Sequence, residues 1–464
     1  MNRKSLPRKS KKNTAFDSTI FLAYDIRGIY PEQINPEIVY KIAQAYAKFL
    51  NPKTIALGRD VRLSGPELLA AVKQGLLDHG VDVIDIGVVS TEMLYFAVAD
   101  LGLDGGITIS ASHNVMEYNG LKITRENALP ISVNSGLEDI KRIVLDNYNY
   151  NSDVKGMETS KDITKDYLEK CLSFVDISKI KKLKVVANAM FGLALQNIKK
   201  INLPIELILL NDIPDGHFPK GQPNPLLPEQ QIEIIETIKA TRPDFGVAWD
   251  GDGDRFFIFD EKGRFIPPYY VLAFLTRYFC SKFSNAKVVH DLRLAWAIED
   301  EARAVGAKTI QSKAGYPYVR KLMRDNEALI GCETSGHMFF KDFFYTDNGL
   351  IPFLIMLEIV SELGEKTSKL FDKYFENYPI SGEINIKIMG HNQVQLILER
   401  LEQHFVQNSD ISVNKIDGIS FEHPKWRANI RGSNTEPFVR MNVEAKTQEI
   451  LKQKTEELLE LIRK

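Results

Sequence analysis

Residues 245–255, FGVAWDGDGDR, join a short apolar run to a turn that carries three aspartates. The run Phe245–Trp249 predicts a buried strand, and Gly251 and Gly253 let the next residues curl so that the carboxylates converge. In open α/β sheets, ligands bind outside the carboxyl ends of the strands. In an α/β fold, the segment therefore predicts a functional site at this strand end.

The three carboxylates of residues 250–254, called the aspartate loop below, demand a cation. Two unit charges about 4 Å apart repel each other by about 4 kcal/mol at an effective dielectric constant of about 20. Oxygen ligands of this kind favour Mg²⁺ over zinc or copper. The alternatives are a solvated acidic turn and an EF-hand. Glu261 has the spacing of the last ligand in an EF-hand loop. However, Arg255 stands where that loop requires glycine, and the strand-like Phe256–Phe259 does not fit a calcium loop.

Helical and strand patterns alternate along most of the chain. Asn35 and Pro36 predict the N-cap and first residue of a helix, which is followed by the strand-like Thr54–Leu57. A second helix is predicted from Gly65, and the strand-like Val81–Ile86 follows it. Such a βαβ order implies a parallel sheet with right-handed crossovers.

The length of 464 residues predicts several domains, because single cores stop growing near 250 to 300 residues, roughly. The α/β rhythm restarts twice, and beyond Pro379 the alternation of Glu383–Ile388 is typical of an antiparallel strand. We predict three consecutive α/β domains with mixed, mainly parallel sheets and a smaller C-terminal α+β domain around a central cleft. The predicted bounds are 1–16 for a basic tail, then 17–153, 154–260, 261–374 and 375–464.

Composition narrows the class of partner and compartment. A net charge of -2 argues against nucleic acid and anionic membranes as partners. The three cysteines are odd in number and lack metal-site spacing, which favours a reducing compartment, the cytoplasm. The basic N-terminus has no apolar segment after it, and the longest apolar stretch, Gly349–Glu358, is far shorter than the roughly 20 residues of a membrane span. No membrane association is expected.

Three further polar segments follow predicted strands. The strand Gly106–Ile109 precedes residues 110–114, the strand Ala328–Gly331 precedes residues 333–337, and the strand Trp426–Ile430 precedes residues 431–437. The segment 431–437 offers a guanidinium, hydroxyls and an amide suited to a phosphate, although a plain surface turn is the alternative. No Walker loop occurs, which disfavours a nucleotide kinase. One polar loop per domain predicts a single central cleft.

Ser112 beside His113 has several interpretations. The pair can belong to a hydrolase, or Ser112 can cap a helix. No G-x-S-x-G elbow surrounds it, and adjacent residues cannot be assumed to form a catalytic pair. A serine near a magnesium site is better suited to carry a phosphoryl group, whose oxygens can complete the metal shell. Arg27 and Lys122 are lone cations that matter only if the fold brings them to Ser112.

The four polar loops, in this order, resemble those of the α-D-phosphohexomutase family, which includes phosphomannomutases and phosphoglucomutases. The similarity extends from Ala23 to about Glu444. Similar segments besides the four loops are 58–64, 215–219, 223–225 and 313–316. The resemblance implies four domains around a cleft, a hexose monophosphate substrate, one Mg²⁺ per subunit and hexose 1,6-bisphosphate as activator, in a monomer or homodimer.

The resemblance also implies roles for particular residues. The implied metal ligands are the phosphorylated Ser112 with Asp250, Asp252 and Asp254. The implied catalytic residues are Ser112, Arg27, Lys122, His113 and His337. The implied substrate-binding residues are Arg255, Lys313, Glu333, Ser335, His337, Arg431, Ser433, Asn434 and Thr435.

Within the family, residues 116–120 and 417–437 look most like bacterial phosphomannomutases, which interconvert mannose 6-phosphate and mannose 1-phosphate and feed GDP-mannose synthesis. Three residues depart from the family pattern: Val115 stands for Pro, Cys332 for Gly and Tyr316 for His. Three alternatives stay open: the same reaction on glucose or glucosamine phosphates, a catalytically silent sugar-phosphate-binding protein, and a magnesium phosphatase.

Overall fold

The computed structural model describes residues 17–390, 392–433 and 438–464. Four sheets follow one another along these residues, and we number the units they form I to IV. Three units are α/β and the last is smaller and antiparallel, which confirms the predicted fold class. The predicted basic tail, 1–16, lies outside the described residues.

Unit I contains a seven-stranded mixed sheet. Its strands are β1 (Ile26–Ile29), β2 (Thr54–Arg59), β3 (Asp82–Val88), β4 (Gly105–Ile109), β5 (Tyr118–Arg125), β6 (Leu129–Pro130) and β7 (Glu158–Ser160). Its helices are α1 (Pro36–Leu50), α2 (Gly65–Asp78), α3 (Thr91–Asp100) and α4 (Glu138–Leu145). The order is β1-β5-β4-β2-β3-β7, with β6 beside β5, and β2, β3, β4 and β7 run parallel. The predicted cap of α1 is present, since Asn35 Oδ1 accepts a hydrogen bond from the Ile38 N–H at 3.1 Å.

Unit II contains five strands in the order β12-β11-β10-β8-β9 when they are numbered along the chain. They are β8 (Leu183–Asn188), β9 (Ile205–Leu210), β10 (Phe245–Trp249), β11 (Phe256–Asp260) and β12 (Phe265–Ile266). The helices are α5 (Thr164–Leu172), α6 (Ala194–Ile198) and α7 (Pro228–Thr241). Strand β10 is fully buried and pairs in parallel with β8 and antiparallel with β11. The aspartate loop is therefore the tight connection between β10 and β11.

Unit III contains five strands and the longest series of helices. The strands are β13 (Lys287–Asp291), β14 (Lys308–Ser312), β15 (Ile330–Cys332), β16 (Met338–Phe340) and β17 (Thr346–Asp347), in the order β14-β13-β15-β16-β17. The helices are α8 (Pro268–Cys280), α9 (Trp296–Ala304), α10 (Tyr316–Asn326), α11 (Leu350–Leu363) and α12 (Thr367–Asn377). Residues 333–337 connect β15 to β16 at the carboxyl end of β15.

Unit IV contains an antiparallel sheet and two helices within its described residues. The strands are β18 (Ile384–Lys387), β19 (Ser412–Asn414), β20 (Ile419–His423), β21 (Trp426–Gly432) and β22 (Phe438–Ala445), in the order β18-β22-β21-β20-β19. The helices are α13 (Asn392–Phe405) and α14 (Gln448–Arg463). The predicted antiparallel strand near Glu383–Ile388 is present as β18.

Packing unites units I to III more closely than unit IV. One hydrophobic cluster contains residues from all of the first three units, whereas unit IV has a cluster of its own. Helix α11, apolar on all sides and almost wholly buried, packs against α5 and β11 of unit II. Unit IV docks through polar contacts: the buried carboxylate of Glu444 accepts hydrogen bonds from the N–H groups of Ala295 at 3.2 Å and Trp296 at 3.3 Å. Of the four units, unit IV is thus held to the others least by apolar packing.

Within the described residues, no helix combines the length and apolarity that crossing a membrane requires. The domain bounds predicted from the sequence, 17–153, 154–260, 261–374 and 375–464, stay predictions.

Candidate active site

A cleft of about 680 Å³ is lined by residues of all four units. Ser112 comes from unit I, Arg255 from unit II, Glu333 from unit III and Arg431 from unit IV. Each of these residues lies in or beside one of the four polar loops that follow predicted strands. The cleft therefore unites the four polar loops that follow predicted strands.

Ser112 follows β4 in a left-handed backbone conformation, with φ of 50°. Its hydroxyl is 3.0 Å from Asp250 Oδ2, to which it donates, and 3.1 Å from the Nδ1 of His113. Arg255 Nη2 lies 3.3 Å from the same oxygen. The side chain is buried, so its polar partners come from the protein.

The three carboxylates of the aspartate loop converge as predicted. They are buried, and one oxygen atom from each lies within 4.8 Å of the others. Gly253 has φ of 81°, a left-handed conformation that favours glycine, so it permits the curl between β10 and β11. Among the described residues, the Oδ1 atoms of Asp252 and Asp254 have no hydrogen-bond partner. Buried carboxylate oxygens left without partners are costly, so this donor set suits a hard divalent cation.

Two cations compensate part of this charge. Lys122, which pairs with Thr108 across β4 and β5, places its Nζ 2.6 Å from Asp252 Oδ2 and 2.6 Å from Asp254 Oδ2. Arg255 Nε donates to Asp250 Oδ2 at 2.7 Å. Burial lowers the pKa of Lys122, but the charges of Asp252 and Asp254 outweigh burial and raise this pKa well above its usual value. Lys122 therefore remains an ammonium.

The two histidines of the cleft differ in charge. Burial and the charges of Arg255 and Arg27 lower the pKa of His113 well below its usual value, so His113 is neutral. Burial also disfavours the charged form of His337, but the Asp254 charge and the hydrogen bond and charge of Asp347 outweigh it. The pKa of His337 rises to about 9. His337 Nδ1 lies 2.6 Å from Asp347 Oδ2 and 3.7 Å from Asp254 Oδ1.

Arg27 lines the cleft beside the serine loop, residues 110–118. Its Nη1 donates to Asn114 Oδ1 at 2.5 Å, and its guanidinium forms an ion pair with Asp25. The fold thus brings both lone cations, Arg27 and Lys122, into the cleft that contains Ser112.

The loop 333–337 is tied to the rest of unit III by its own polar groups. Glu333 is buried, and its Oε1 accepts a hydrogen bond from the Gly315 N–H at 2.6 Å. Burial raises the pKa of Glu333 above its usual value. The Thr334 N–H donates to Asp291 Oδ2 at 2.7 Å. Glu333, Ser335 and His337 all line the cleft, as the sequence predicted.

The wall from unit IV is cationic. Arg431 and Ser433 line the cleft. The carboxylate of Glu383 lies 3.3 Å from Arg431 Nη2 and 3.1 Å from Arg293 Nη1 of unit III. Asn434 and Thr435, predicted to bind phosphate, lie outside the described residues. Lys313 is exposed, with its ammonium 5.9 Å from the centroid of the Tyr318 ring.

Comparison with known proteins assigns all four units to one family. The profiles of the phosphoglucomutase/phosphomannomutase family match residues 18–151 (alpha/beta/alpha domain I), 165–263 (domain II), 267–378 (domain III) and 383–461 (C-terminal domain). This chain belongs to the phosphoglucomutase/phosphomannomutase family. It is accordingly an isomerase of the phosphohexomutase type.

Individual family members match over nearly their full length. A phosphomannomutase of Vibrio cholerae is 41% identical over 460 residues, which are 96% of this chain and 98% of that protein. A phosphomannomutase of Escherichia coli K12 is 41% identical over 437 residues, which are 92% of this chain and 95% of that protein. The crystal structure of a phosphoglucomutase/phosphomannomutase family protein from Burkholderia thailandensis superposes with a TM-score of 0.85 at 29% identity, covering 97% of this chain and 98% of that one.

The three departures from the family pattern occupy different environments. The Tyr316 hydroxyl donates to the Tyr24 carbonyl of unit I at 2.8 Å, so this side chain links two units across the cleft. Cys332 is buried, and its Sγ donates to the Glu333 carbonyl at 3.0 Å. Val115 is 37% exposed, but its carbonyl is bound by Arg62 at 2.8 Å. None of the three departures replaces Ser112 or an aspartate of the aspartate loop.

Three residues that had no predicted role belong to the site or support it: Arg293 and Asp347 line the cleft, and Arg62 binds the serine loop. Arg293 lies just beyond the carboxyl end of β13, so the strand-end rule that found the four loops also indicates it. Asp347 is held opposite Phe339 by the pairing of β16 with β17, and no local signal ties it to His337. Arg62 falls in the family-like segment 58–64. Its hydrogen-bond partners lie about 50 positions away in the chain, so no local pattern indicates them.

Proposed function

We propose that this chain is a phosphomannomutase that interconverts mannose 6-phosphate and mannose 1-phosphate through a phosphorylated Ser112. The observation that carries the proposal is the 3.0 Å contact of the Ser112 hydroxyl with Asp250, inside the cleft that all four units line. The preference for mannose is supported by relatives named phosphomannomutase that are 40 to 41% identical over nearly the full length.

In the proposed reaction, the P–O bond to Ser112 Oγ breaks as a new P–O bond forms to O1 or O6 of a hexose monophosphate. The proton of that sugar hydroxyl ends on Ser112 Oγ. The neutral His113 would help to orient Oγ, because its Nδ1 is 3.1 Å from Oγ and also faces the guanidinium of Arg255. The hexose 1,6-bisphosphate turns over in the cleft, and Ser112 regains the other phosphoryl group. The same bisphosphate added from solution would act as the activator.

Phosphoryl transfer depends mainly on positioning and charge stabilisation. Asp250, Asp252 and Asp254, with the phosphoryl group on Ser112, would hold one Mg²⁺, which supplies positive charge beside the transferred group. Arg27, Lys122, Arg255 and the charged His337 would add to that charge. Glu333 and Ser335 would bind sugar hydroxyls.

The far end of the substrate would be held by Arg431 and Ser433, with Asn434, Thr435 and Lys313 as further phosphate contacts. Closure of unit IV over the cleft would exclude water from the phosphoserine. We place the enzyme in the cytoplasm, as a monomer or homodimer, where it would supply mannose 1-phosphate for GDP-mannose synthesis.

A mutase assay across hexose phosphates, with Mg²⁺ and an activating bisphosphate, tests the proposal together with the intact mass of the protein. We expect one phosphoryl group on the wild type, none on Ser112→Ala, and loss of mutase activity in that variant. Ser173→Ala, which changes an exposed serine of unit II, is the matched control and should behave as wild type. Full activity of Ser112→Ala would refute the assignment.

The same assay separates the alternatives. A higher kcat/KM for glucose 1-phosphate or glucosamine 1-phosphate than for mannose 1-phosphate would change the assigned sugar. Binding without turnover would indicate a catalytically silent protein. Release of inorganic phosphate without isomer would indicate a phosphatase.

A further inference from the structure

One buried guanidinium binds the backbone of the serine loop at four points. Arg62 Nη2 donates to the carbonyls of Ser112 at 2.8 Å and Asn114 at 2.7 Å. Its Nη1 donates to the carbonyls of Val115 at 2.8 Å and Tyr118 at 2.9 Å. The two terminal nitrogens of one side chain therefore hold the loop from Ser112 to the start of β5.

A second route joins the same segment to Ser112. The Arg62 guanidinium forms an ion pair with Asp60 at 3.3 Å, and both side chains are at most 1% exposed. Asp60 Oδ2 accepts a hydrogen bond from the Ser110 hydroxyl at 2.7 Å. Ser110 Oγ in turn accepts the Ser112 N–H at 2.9 Å. Both the N–H and the carbonyl of Ser112 are therefore bound by a network that contains Arg62.

Unit II encloses this network. The Phe218 ring lies over the Arg62 guanidinium, 5.0 Å from its centroid. Gly216 approaches so closely that a Cβ there would lie 2.4 Å from the Val61 carbonyl. The guanidinium thus has little freedom to change its position without moving unit II.

We propose that Arg62 is a positioning residue for phosphoryl transfer, which holds Ser112 in its left-handed conformation and directs Oγ toward Asp250. The inference rests on the proposed role of Ser112. A planar fork with five donors can span four carbonyls, whereas a lysine ammonium has three donors and no fork. A displacement of about 1 Å at a reacting atom can reduce the rate about 100-fold.

Arg62→Lys tests the proposal, because it keeps the charge and removes the fork. We expect kcat to fall about 100-fold while KM for the hexose phosphate is unchanged, because Arg62 does not line the cleft. Phosphorylation of Ser112 by hexose 1,6-bisphosphate, followed by intact mass, should slow by a similar factor. Arg59→Lys is the matched control: its guanidinium donates to the Asp60 carbonyl at 2.9 Å and makes no hydrogen bond to the described serine loop. It should keep wild-type kcat.

Guanidinium ion added to Arg62→Ala, below denaturing concentrations, should restore part of kcat and leave KM unchanged. If the Arg62 variants do not fold, Phe218→Leu tests the proposal instead. It removes the ring that lies over the Arg62 guanidinium but keeps the guanidinium itself. That variant should lower kcat at unchanged KM. Wild-type kcat in Arg62→Lys, or in Phe218→Leu when the Arg62 variants do not fold, overturns the proposal. An active Ser112→Ala protein would refute the proposed function separately, whatever Arg62→Lys does.

Discussion

The hydroxyl of Ser112 in unit I donates a hydrogen bond to Oδ2 of Asp250 in unit II across 3.0 Å, and both side chains are buried. The contact joins the end of β4 to the end of β10, so the serine hydroxyl and the acidic cluster belong to one site. Arg255 completes it, with Nε on Asp250 and Nη2 near the serine oxygen. A change in either loop is therefore expected to affect the other.

Removal of one carboxylate should weaken the proposed metal site. Asp250→Asn keeps the shape but loses the charge, so we expect activity to fall at least about 100-fold and to need more Mg²⁺. Mg²⁺ should raise the unfolding temperature of the wild type more than that of the variant, because ligands that bind the native state stabilise it. Chelation should abolish wild-type activity reversibly. Asp139→Asn, on the exposed face of α4, is the control. Equal Mg²⁺ stabilisation of both proteins would contradict the assignment.

Lys122→Met should destabilise the metal-free protein strongly. The ammonium lies 2.6 Å from each of two buried carboxylates, and removal of one partner from such a cluster costs about 3–5 kcal/mol. Mg²⁺ should restore part of the free energy of unfolding, because another cation then compensates Asp252 and Asp254. Lys165→Met removes an exposed lysine from a helix ion pair and should change stability by less than about 1 kcal/mol. Denaturant unfolding with chelator and with Mg²⁺ measures both effects. Similar losses in the two variants would refute the argument.

Tyr316→Phe tests whether the Tyr316 hydroxyl only links two units or also transfers a proton in the reaction. The variant loses a single hydrogen bond, to the Tyr24 carbonyl at 2.8 Å, which is worth about 0.5–1.5 kcal/mol. We expect kcat/KM to fall by no more than about tenfold. A general acid or base would cost about 100- to 10,000-fold in kcat. Tyr318→Phe, whose hydroxyl accepts a hydrogen bond from Asn134 of unit I at 2.9 Å, is the matched control. Steady-state kinetics separates the outcomes.

Acid should destabilise unit III through His290. Burial lowers the pKa of this histidine on β13, so the folded state favours its neutral form. Its contribution to stability is present above the unfolded pKa of about 6.5 and is lost as the pH falls from there through the lower folded pKa. One proton taken up on unfolding corresponds to a slope of about 1.4 kcal/mol per pH unit. His290→Gln should have a shallower dependence than the wild type in denaturant unfolding below pH 6.5, approximately. Identical slopes would contradict this prediction.

Local features of the chain were sufficient for much of the fold. The apolar run Phe245–Trp249 is a strand with the predicted bounds, and Asn35 caps α1 as its residue type indicated. The two-glycine spacing of the aspartate loop predicted the convergence that the structure has. Such features depend on residues that are neighbours in the chain, so they can be predicted from the sequence alone.

By itself, the sequence determined the α/β rhythm, the family and the loops that meet in the cleft, because strand ends and polar motifs are local. Only the tertiary structure decided which side chains hold those loops. Arg62 binds the serine loop 50 positions away, and Asp347 meets His337 through the pairing of β16 and β17. These hydrogen bonds depend on the close approach of separate segments, and residue type and spacing do not specify that approach.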